Sequence, residues 1–171
     1  MDVFKEFIVK KEIGLRERLS MAFIMLGSVA LGFALIALLL MMGFIGLGCI
    51  LAAGCCYGGW KLITRFFVEY EYILTNKDLD VDKITNQSAR KRLCTVDINS
   101  VTEIGRYDPQ NVFAESNETT VKAVSGNPEL EDYYLRFDHK SLGKCILLFT
   151  PSTELFELIE QGLPRKAKKL L

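Results

Sequence analysis

Histidine is nearly absent from this sequence, which excludes most of the chemistry that needs an imidazole. The 171 residues contain one histidine, His139, and five cysteines, of which no two form a Cys-x-x-Cys pair. Zinc sites and Cys–His or Ser–His catalytic pairs need such residues together in a recognisable pattern. Phosphate-binding loops, dinucleotide fingerprints and nucleophile elbows are missing too. The sequence therefore predicts a protein that is not an enzyme, with no catalytic residue, no cofactor-binding residue and no metal ligand.

Charged residues are absent from a run of about forty residues, Met21 to Trp60. A helix that crosses a bilayer needs roughly 20 apolar residues, so the run is long enough for two crossings. Gly43 and Gly46 lie in its middle, where a tight reversal costs least backbone strain. Because neither crossing has an ionisable side chain, the run is expected to anchor the protein rather than conduct ions or protons. The prediction is a transmembrane helical hairpin over residues 21–65, with spans at about 21–41 and 44–63.

Basic side chains flank the run on both sides, with Arg16 and Arg18 before it and Lys61 and Arg65 after it. Cytoplasmic flanks of membrane helices are enriched in Lys and Arg. The sequence thus predicts a multi-pass protein of the cell membrane, with both termini and the segment after the hairpin in the cytoplasm. A lipoprotein-type cleavage box ending at Cys55 is a competing interpretation, but about 34 apolar residues precede it, far more than a signal-peptide core contains.

The two ends of the chain have membrane-directed interpretations. Residues 1–20 predict a short cytoplasmic amphipathic helix that lies on the membrane surface or docks on the cytosolic domain. Its apolar face consists of Val3, Phe4, Phe7, Ile8 and Leu15. Residues 164–171 form a basic tail, for which we expect either a solvated disordered end or contact with anionic lipid. The lipid contact would be made by Arg165, Lys166, Lys168 and Lys169.

An alternating pattern of apolar and polar residues replaces the apolar run after Arg65. The segments FVEYEYILT, LDVDKIT and RKRLCTVDI alternate with period two between turn residues, which is typical of antiparallel strands. Further strand candidates are TTVKAVS, DYYLRFDH and KCILLFT, with a shorter one at 100–104 and a long loop at 107–118. We expect residues 66–163 to form a small antiparallel β-barrel or sandwich.

A C-terminal amphipathic helix is predicted to close this domain. Thr150 suits the N-cap, Pro151 suits the first helical position, and Gly162 ends the helix. An apolar stripe lies between them, made of Leu155, Phe156, Leu158 and Ile159. The predicted class is an α+β membrane protein, in which a two-helix hairpin precedes a β domain capped by this helix.

Composition limits what the domain can bind. Residues 66–163 contain ten Lys or Arg against seventeen Asp or Glu, which repels nucleic acid phosphates and argues against a nucleic acid partner. His139 is expected to be exposed and structural. All five cysteines are expected to behave as small buried hydrophobic residues, as in a reducing compartment.

Two charged motifs in the domain have a structural and a functional interpretation. Asp78, Asp80 and Asp82 alternate along a strand, which favours a solvated strand face over a metal site because no glycine-bearing calcium loop is present. The basic run Arg90–Arg92 is expected to protect a strand edge, with a binding patch as the alternative.

One stretch of the β domain resembles a known family. The sequence Tyr72-Ile73-Leu74-Thr75-Asn76-Lys77-Asp78-Leu79, followed by Val96-Asp97-Ile98-Asn99-Ser100-Val101, is similar to the opening hairpin and third-strand region of bacterial pleckstrin-homology-like (PH-like) domains. Those proteins often carry Y-x-L-T-N-x-R-L and then I-x-x-I-x-x-V directly after a pair of membrane helices, as do small membrane proteins of Gram-positive, Firmicutes-type bacteria. Asp78 stands where the pattern has arginine, so the resemblance implies a fold rather than phosphoinositide binding.

These features together favour a membrane-anchored, non-enzymatic interaction or scaffold module whose PH-like domain binds a protein partner through a sheet edge or the barrel mouth. Two alternatives remain. The protein could sense a lipid surface through its N-terminal helix and basic tail. It could also be an accessory subunit of a membrane enzyme or transport complex.

Overall fold

The computed structural model describes residues 4–110, 112, 117–139 and 143–170. The chain forms two compact units, one made of Ile13–Phe67 and the other of Met1–Glu12 together with Val68–Leu171. The first unit is helical, and the second contains both β-sheets and the last helix. The segment before the hairpin therefore belongs to the β domain.

The helical unit consists of α1 (Leu15–Met41) and α2 (Ile45–Ile63), followed by a 3-10 turn (Thr64–Phe66). Both helices are long and apolar enough to cross a membrane, with mean hydropathy of 2.6 and 1.3 over their most apolar stretches. The chain reverses at Gly43, whose φ of +81° suits glycine. Helices α1 and α2 end at the last residues of the predicted spans, 41 and 63. Helix α1 begins before the predicted span, and at its start the Gly14 amide donates to the Glu17 carboxylate (3.0 Å).

Small residues let the two helices approach each other closely. A Cβ atom added to Gly32 would lie 3.3 Å from Ala52 Cβ, and one added to Gly48 would lie 3.1 Å from Ile36 Cα. At Gly59 an added Cβ would overlap the side chain of Ser28. Of the small residues spaced four apart in the sequence, Ser28/Gly32 and Gly48/Ala52 therefore form the helix–helix contact. The other two pairs, Ala30/Ala34 and Gly54/Gly58, do not, because a Cβ added at either glycine meets nothing within 4 Å and both alanines are exposed.

The N-terminal segment is a strand, so the predicted amphipathic helix is wrong. Strand β1 (Phe4–Lys10) pairs antiparallel with β2 (Val68–Thr75), opposing Phe7 to Tyr72 and Val9 to Tyr70. Its apolar residues fit a period of two as well as a helical period, and a short segment cannot distinguish them. The segment becomes a strand because its backbone hydrogen-bonds to the open edge of β2. Val3, one of the predicted helix residues, lies outside the described residues.

The β domain contains two sheets. The first has the order β1-β2-β3-β4, with β3 at Asp78–Thr85 and β4 at Ala89–Asp97, and all of its neighbours are antiparallel. The second has the order β6-β8-β7-β5-β9. Its strands are β5 (Val101–Arg106), β6 (Thr119–Ala123), β7 (Tyr133–His139), β8 (Gly143–Phe149) and β9 (Lys168–Leu170). Two pairs, β6 with β8 and β5 with β9, are parallel, which the antiparallel prediction did not include.

The core lies between the sheets and is closed by α3 (Thr153–Gly162). Its largest fully buried side chains include Tyr72 and Phe149, whose rings meet edge to face with centroids 5.9 Å apart. Leu155 and Ile159 of α3 are fully buried, and each such aliphatic side chain contributes about 1.5–3 kcal/mol through burial. The N-cap of α3 is Ser152, whose Oγ accepts a hydrogen bond from the Leu155 amide (3.2 Å), and not Thr150 as predicted.

The C-terminal tail is not a free end in this structure. Its backbone at Lys168–Leu170 forms β9, which pairs with β5 and opposes Lys168 to Glu103. Arg165 and Lys166 precede this strand and are exposed. The side chains of Lys168 and Lys169 lie outside the described set, so the predicted lipid contact of the tail stays a prediction.

Candidate functional site

Asp80 and Asp82 of β3 and Glu71 of β2 form ion pairs with Arg90 and Arg92 of β4 on the outer face of the first sheet. Arg92 binds Asp82 through Nε and Asp80 through Nη1 (2.6 Å), and Arg90 binds Glu71 (2.8 Å). The side chains of Asp82 and Glu71 are 3% and 1% exposed. The predicted solvated aspartate face is therefore wrong at Asp82, and the basic run binds carboxylates rather than merely covering a strand edge.

A β-bulge produces this pairing. Cys94 opposes Val81 but Arg92 opposes Asp82, so Leu93 is an extra residue in β4. A bulge shifts the alternation of a strand by one residue, which moves Arg92 out of phase with the inward-facing Cys94. Strict alternation in the sequence places Arg92 and Cys94 on the same face, and the ion pair was therefore not predictable from it.

Glu71 is the most deeply buried acid of this face. Burial raises its pKa first of all, and hydrogen bonding to Glu6 together with the charges of Glu6 and Asp82 raises it further, while Arg90 lowers it. The pKa of Glu71 therefore lies above its ordinary value. The network holds four strands together, since Glu6, Glu71, Asp82 and Arg90 come one each from β1 to β4.

The cysteines and the single histidine are the other residues that could take part in chemistry. Cys94 and Cys145 are buried as predicted, and burial raises the pKa of Cys94 to about 12, so its thiol stays protonated at neutral pH. Cys49 and Cys56 are exposed on α2, contrary to the prediction for all five cysteines. His139 is half-buried rather than exposed, with its ring centroid 6.3 Å from that of Phe137.

A groove of about 450 Å³ opens beside the start of α3. Three parts of the chain line it: β1, the segment that leads into β7, and the first turn of α3. The lining residues are Phe7, Glu129, Leu130, Glu131, Tyr133, Pro151, Ser152, Thr153 and Phe156. We name this site the α3 groove.

Aromatic rings form the walls of the α3 groove. The rings of Tyr133 and Phe156 pack at a tilt of 32° with centroids 4.2 Å apart, and Phe7 stacks on the buried Tyr72 with centroids 6.3 Å apart. These three residues are half-buried, and Leu130 beside them is 41% exposed. A half-buried aromatic side chain at a surface groove is a common element of protein recognition sites.

Carboxylates lie along the rim of the α3 groove. Glu131 accepts a hydrogen bond from the Tyr133 hydroxyl (2.8 Å) and forms an ion pair with Arg106 (2.7 Å). Glu129 is exposed in the same loop, and Glu154 in the first turn of α3 pairs with Lys5 (2.6 Å). Two of these carboxylates are already paired with a cation, so the net charge of the five side chains is −1.

A buried hydroxyl network connects the segments that line the groove. The Thr150 hydroxyl donates to Asp132 and accepts from the Ser125 amide (2.9 Å), and the Thr150 amide donates to the Tyr72 hydroxyl (3.2 Å). The Tyr72 hydroxyl in turn donates to the carbonyl of Ala123. Burial raises the pKa of Asp132. Since Asp132 precedes Tyr133 and Thr150 precedes Pro151, the network fixes both sides of the groove.

A smaller pocket of about 200 Å³ lies on the outer face of the second sheet. It is lined by Tyr107, Pro109, Val112, Thr120, Lys122, Ile146 and Leu148. Part of the predicted loop 107–118, namely residues 111 and 113–116, lies outside the described residues. Within the described residues no group of three or more His, Cys, Asp or Glu is arranged to hold a metal ion.

Sequence reasoning missed the α3 groove. The sequence analysis predicts a helix at Phe7 and no functional role for Glu129, Leu130 or Glu131. The signal that could have found it is the unusual NPELEDYY segment, where an apolar residue stands between two acids just before two tyrosines.

Two apolar helices, two packed β-sheets and a C-terminal helix define an α+β protein with a PH-like domain. The family described as bacterial PH-like domain (DUF6106) matches residues 1–169, and the chain belongs to this family. The family match confirms the resemblance and the fold class predicted from the sequence. No curated protein and no solved structure matches the chain.

Proposed function

We propose that this protein is a membrane-anchored, non-enzymatic interaction module whose PH-like domain binds a protein partner through the α3 groove. The observation that carries the proposal is an open groove walled by Phe7, Tyr133 and Phe156 with the exposed Leu130 at its side. Aromatic side chains at the centre of an interface supply most of the binding energy in many complexes. The acidic composition of the domain favours a protein over a nucleic acid.

The anchor in this proposal is the α1–α2 hairpin, inserted in the cell membrane with both of its ends in the cytoplasm. Basic residues flank both ends. Pairing within the β domain supports the same arrangement, because the Lys11 amide donates to the Val68 carbonyl (2.9 Å) and these residues stand on opposite sides of the hairpin in sequence. Two chain segments in direct contact emerge on one side of a membrane. Reporter fusions at residue 171 and in the α1–α2 turn test this topology, and a cytoplasmic turn would contradict it.

Site-specific photo-crosslinking in living cells tests the binding site. A benzoylphenylalanine placed at Leu130 is expected to capture the same protein in repeated experiments, since this side chain is exposed within the groove. The matched control is benzoylphenylalanine at Lys91, which is exposed on β4 and does not line the groove. A product formed equally from both positions, or from neither, would contradict the proposal.

Lipid-surface sensing was suggested by two features of the sequence, and one of them remains a candidate. The N-terminal segment that was to lie on the membrane is paired in the first sheet as β1, whereas the basic residues of the tail remain candidates. Salt-sensitive binding to anionic but not to neutral vesicles, lost when Arg165 and Lys166 are replaced by glutamine, would favour this function. The role of an accessory subunit would be favoured if the crosslinked protein is a membrane enzyme or transporter.

A further inference from the structure

Strand β1 forms an edge of the first sheet, and half of its backbone polar groups face away from β2. The Lys11 amide donates to the carbonyl of Val68, which lies directly opposite it in the register of the two strands, so this position is a hydrogen-bonded pair. Hydrogen-bonded and non-hydrogen-bonded pairs alternate along antiparallel strands. The amides and carbonyls of Phe4, Glu6 and Ile8 therefore point away from β2, and no strand of the described residues pairs with them. We call these groups the β1 edge.

The α3 groove lies beside the β1 edge. At the far end of β1, Ser125 accepts a hydrogen bond from the Glu12 amide (2.8 Å) and donates its hydroxyl to the Lys10 carbonyl (2.8 Å), as expected if alternate residues face away from β2. The loop that begins at Ser125 continues to Leu130, which lines the α3 groove together with Phe7 of β1. The groove therefore adjoins the part of the edge that Ser125 does not reach.

From these two features we infer that the partner protein adds an extended strand to the β1 edge, antiparallel to β1, with alternate side chains in the α3 groove. The inference rests on the proposed function and specifies how the partner binds. The added strand exchanges hydrogen bonds with the backbone of Phe4, Glu6 and Ile8, while its groove-facing side chains are apolar and lie against Phe7 and Leu130. The antiparallel direction follows the rest of this sheet, in which all neighbours are antiparallel.

An unpaired backbone edge selects an extended segment, because the amides and carbonyls of a helix are already hydrogen-bonded to each other. Apolar contact is available on the other face of the edge as well, since Phe4 and Ile8 are 67% and 46% exposed. A second copy of β1 fits less well than a partner strand. Pairing two copies about Glu6 would oppose two carboxylates, and pairing them about Ile8 would reach Lys10, where Ser125 occupies the edge.

The crosslinking experiment with benzoylphenylalanine at Leu130 tests the β1 edge. Ile8→Pro removes an amide that points away from β2, so β1 keeps its pairing with β2, as prolines on edge strands allow. We expect the crosslinked product to fall at least about tenfold, because the added strand loses a hydrogen bond and meets the proline ring. The matched control is Ile8→Thr, which keeps the amide and the branched side chain and should leave the product within about twofold. Near-ultraviolet circular dichroism checks that both variants are folded.

A defined probe tests the backbone hydrogen bonds without changing the protein. The full chain in maltoside micelles is titrated with a fluorescein-labelled, C-terminally amidated peptide of sequence Thr-Leu-Thr-Leu-Thr. With its leucines in the groove, its threonines share the face of Glu6 and Ile8, so in antiparallel pairing the threonine amides donate to β1 and the leucine amides point away. N-methylation of the second and third threonines should weaken binding at least about tenfold. N-methylation of the two leucines, which adds the same number of methyl groups, should change it less than about twofold.

The outcomes separate this inference from the proposed function. A crosslink at Leu130 that persists in folded Ile8→Pro, or that falls equally in Ile8→Thr, would overturn strand addition and leave protein binding intact. No crosslink from the wild-type chain would overturn the proposed function itself. A crosslinked product made of two copies of this chain would overturn the inference in favour of self-association.

The peptides decide the inference on their own if Ile8→Pro does not fold. No binding of the parent peptide, or equal effects of the two N-methylated forms, would overturn strand addition. Loss of binding with the methylated leucines alone would overturn the antiparallel arrangement, because leucine amides face β1 only in parallel pairing.

Discussion

Replacing Arg92 by methionine is expected to destabilise the β domain strongly. The guanidinium of Arg92 contacts both Asp82 and Asp80, and Asp82 is opposed to the buried Glu71 on the next strand. Methionine preserves the length of the side chain but leaves these carboxylates without their cation. Removing one member of a buried ion pair costs about 3–5 kcal/mol. Because the Arg92 side chain is 48% exposed, solvent screens part of the interaction, and we expect the free energy of unfolding to fall by about 2–3 kcal/mol.

Urea unfolding in micelles at pH 7 measures this loss. The single tryptophan, Trp60, lies in α2, so near-ultraviolet circular dichroism of the tyrosines is the suitable signal for the β domain. The control is Lys91→Met, which removes the same charge from an exposed neighbouring residue and should cost less than about 0.5 kcal/mol. The double change Asp82→Leu and Arg92→Leu is expected to recover most of the loss, since an ion pair can be replaced by apolar residues at little cost.

Acid should reduce the difference between the Arg92→Met variant and the wild type, because protonated carboxylates no longer need a cation. Equal stability of Arg92→Met and Lys91→Met at pH 7 would refute the reasoning. It would mean that Asp82 obtains its stabilisation from water or from backbone amides rather than from Arg92.

Three further predictions concern other parts of the chain. Glu71→Gln should raise the thermal midpoint at pH 8 and lose this advantage near pH 4. Because the pKa of Glu71 is raised in the folded state, protonation of Glu71 stabilises the fold, and this stability is lost as the pH rises. Equal effects of the substitution at both pH values would contradict the buried charge. Gly48→Ile should separate α1 from α2, whereas Gly54→Ala should not, as measured by the yield of a disulfide engineered between the helices. Ser152→Ala should cost about 1 kcal/mol of unfolding free energy through loss of the α3 N-cap, and a change below 0.3 kcal/mol would contradict that role.

The elements with strong periodicity could be predicted from the sequence. Both helices of the hairpin follow from a charge-free run, and β2 and β3 follow from alternation around the turn at Asn76, which adopts φ +55°. Helix α3 was predicted from its apolar stripe, although its cap lies at Ser152. In each of these cases the determining interaction is local, so a single segment of sequence contains it.

Features that depend on distant segments could not be predicted. Strand β1 forms because β2 offers an open edge, β9 forms because β5 does, and the placement of Arg92 depends on a bulge at Leu93. The α3 groove brings Phe7 of β1 next to residues of the β7 approach and of α3, which lie more than a hundred positions further along the chain. Hydrophobic periodicity indicates which residues are buried, but it does not indicate which segments become neighbours.

The pairing of β1 with β2 makes the α1–α2 hairpin an insertion within the β domain, and this determines the order in which the first sheet can form during synthesis. Strand β1 leaves the ribosome before the hairpin and has no partner until β2 has followed, so the hairpin is synthesised before the first sheet is complete. The same arrangement affects any attempt to produce the domain without the hairpin. Deleting residues 1–65 would expose the edge of β2 and promote aggregation. Joining Glu12 to Val68 with a short glycine-rich turn would keep that edge paired and yield a continuous domain.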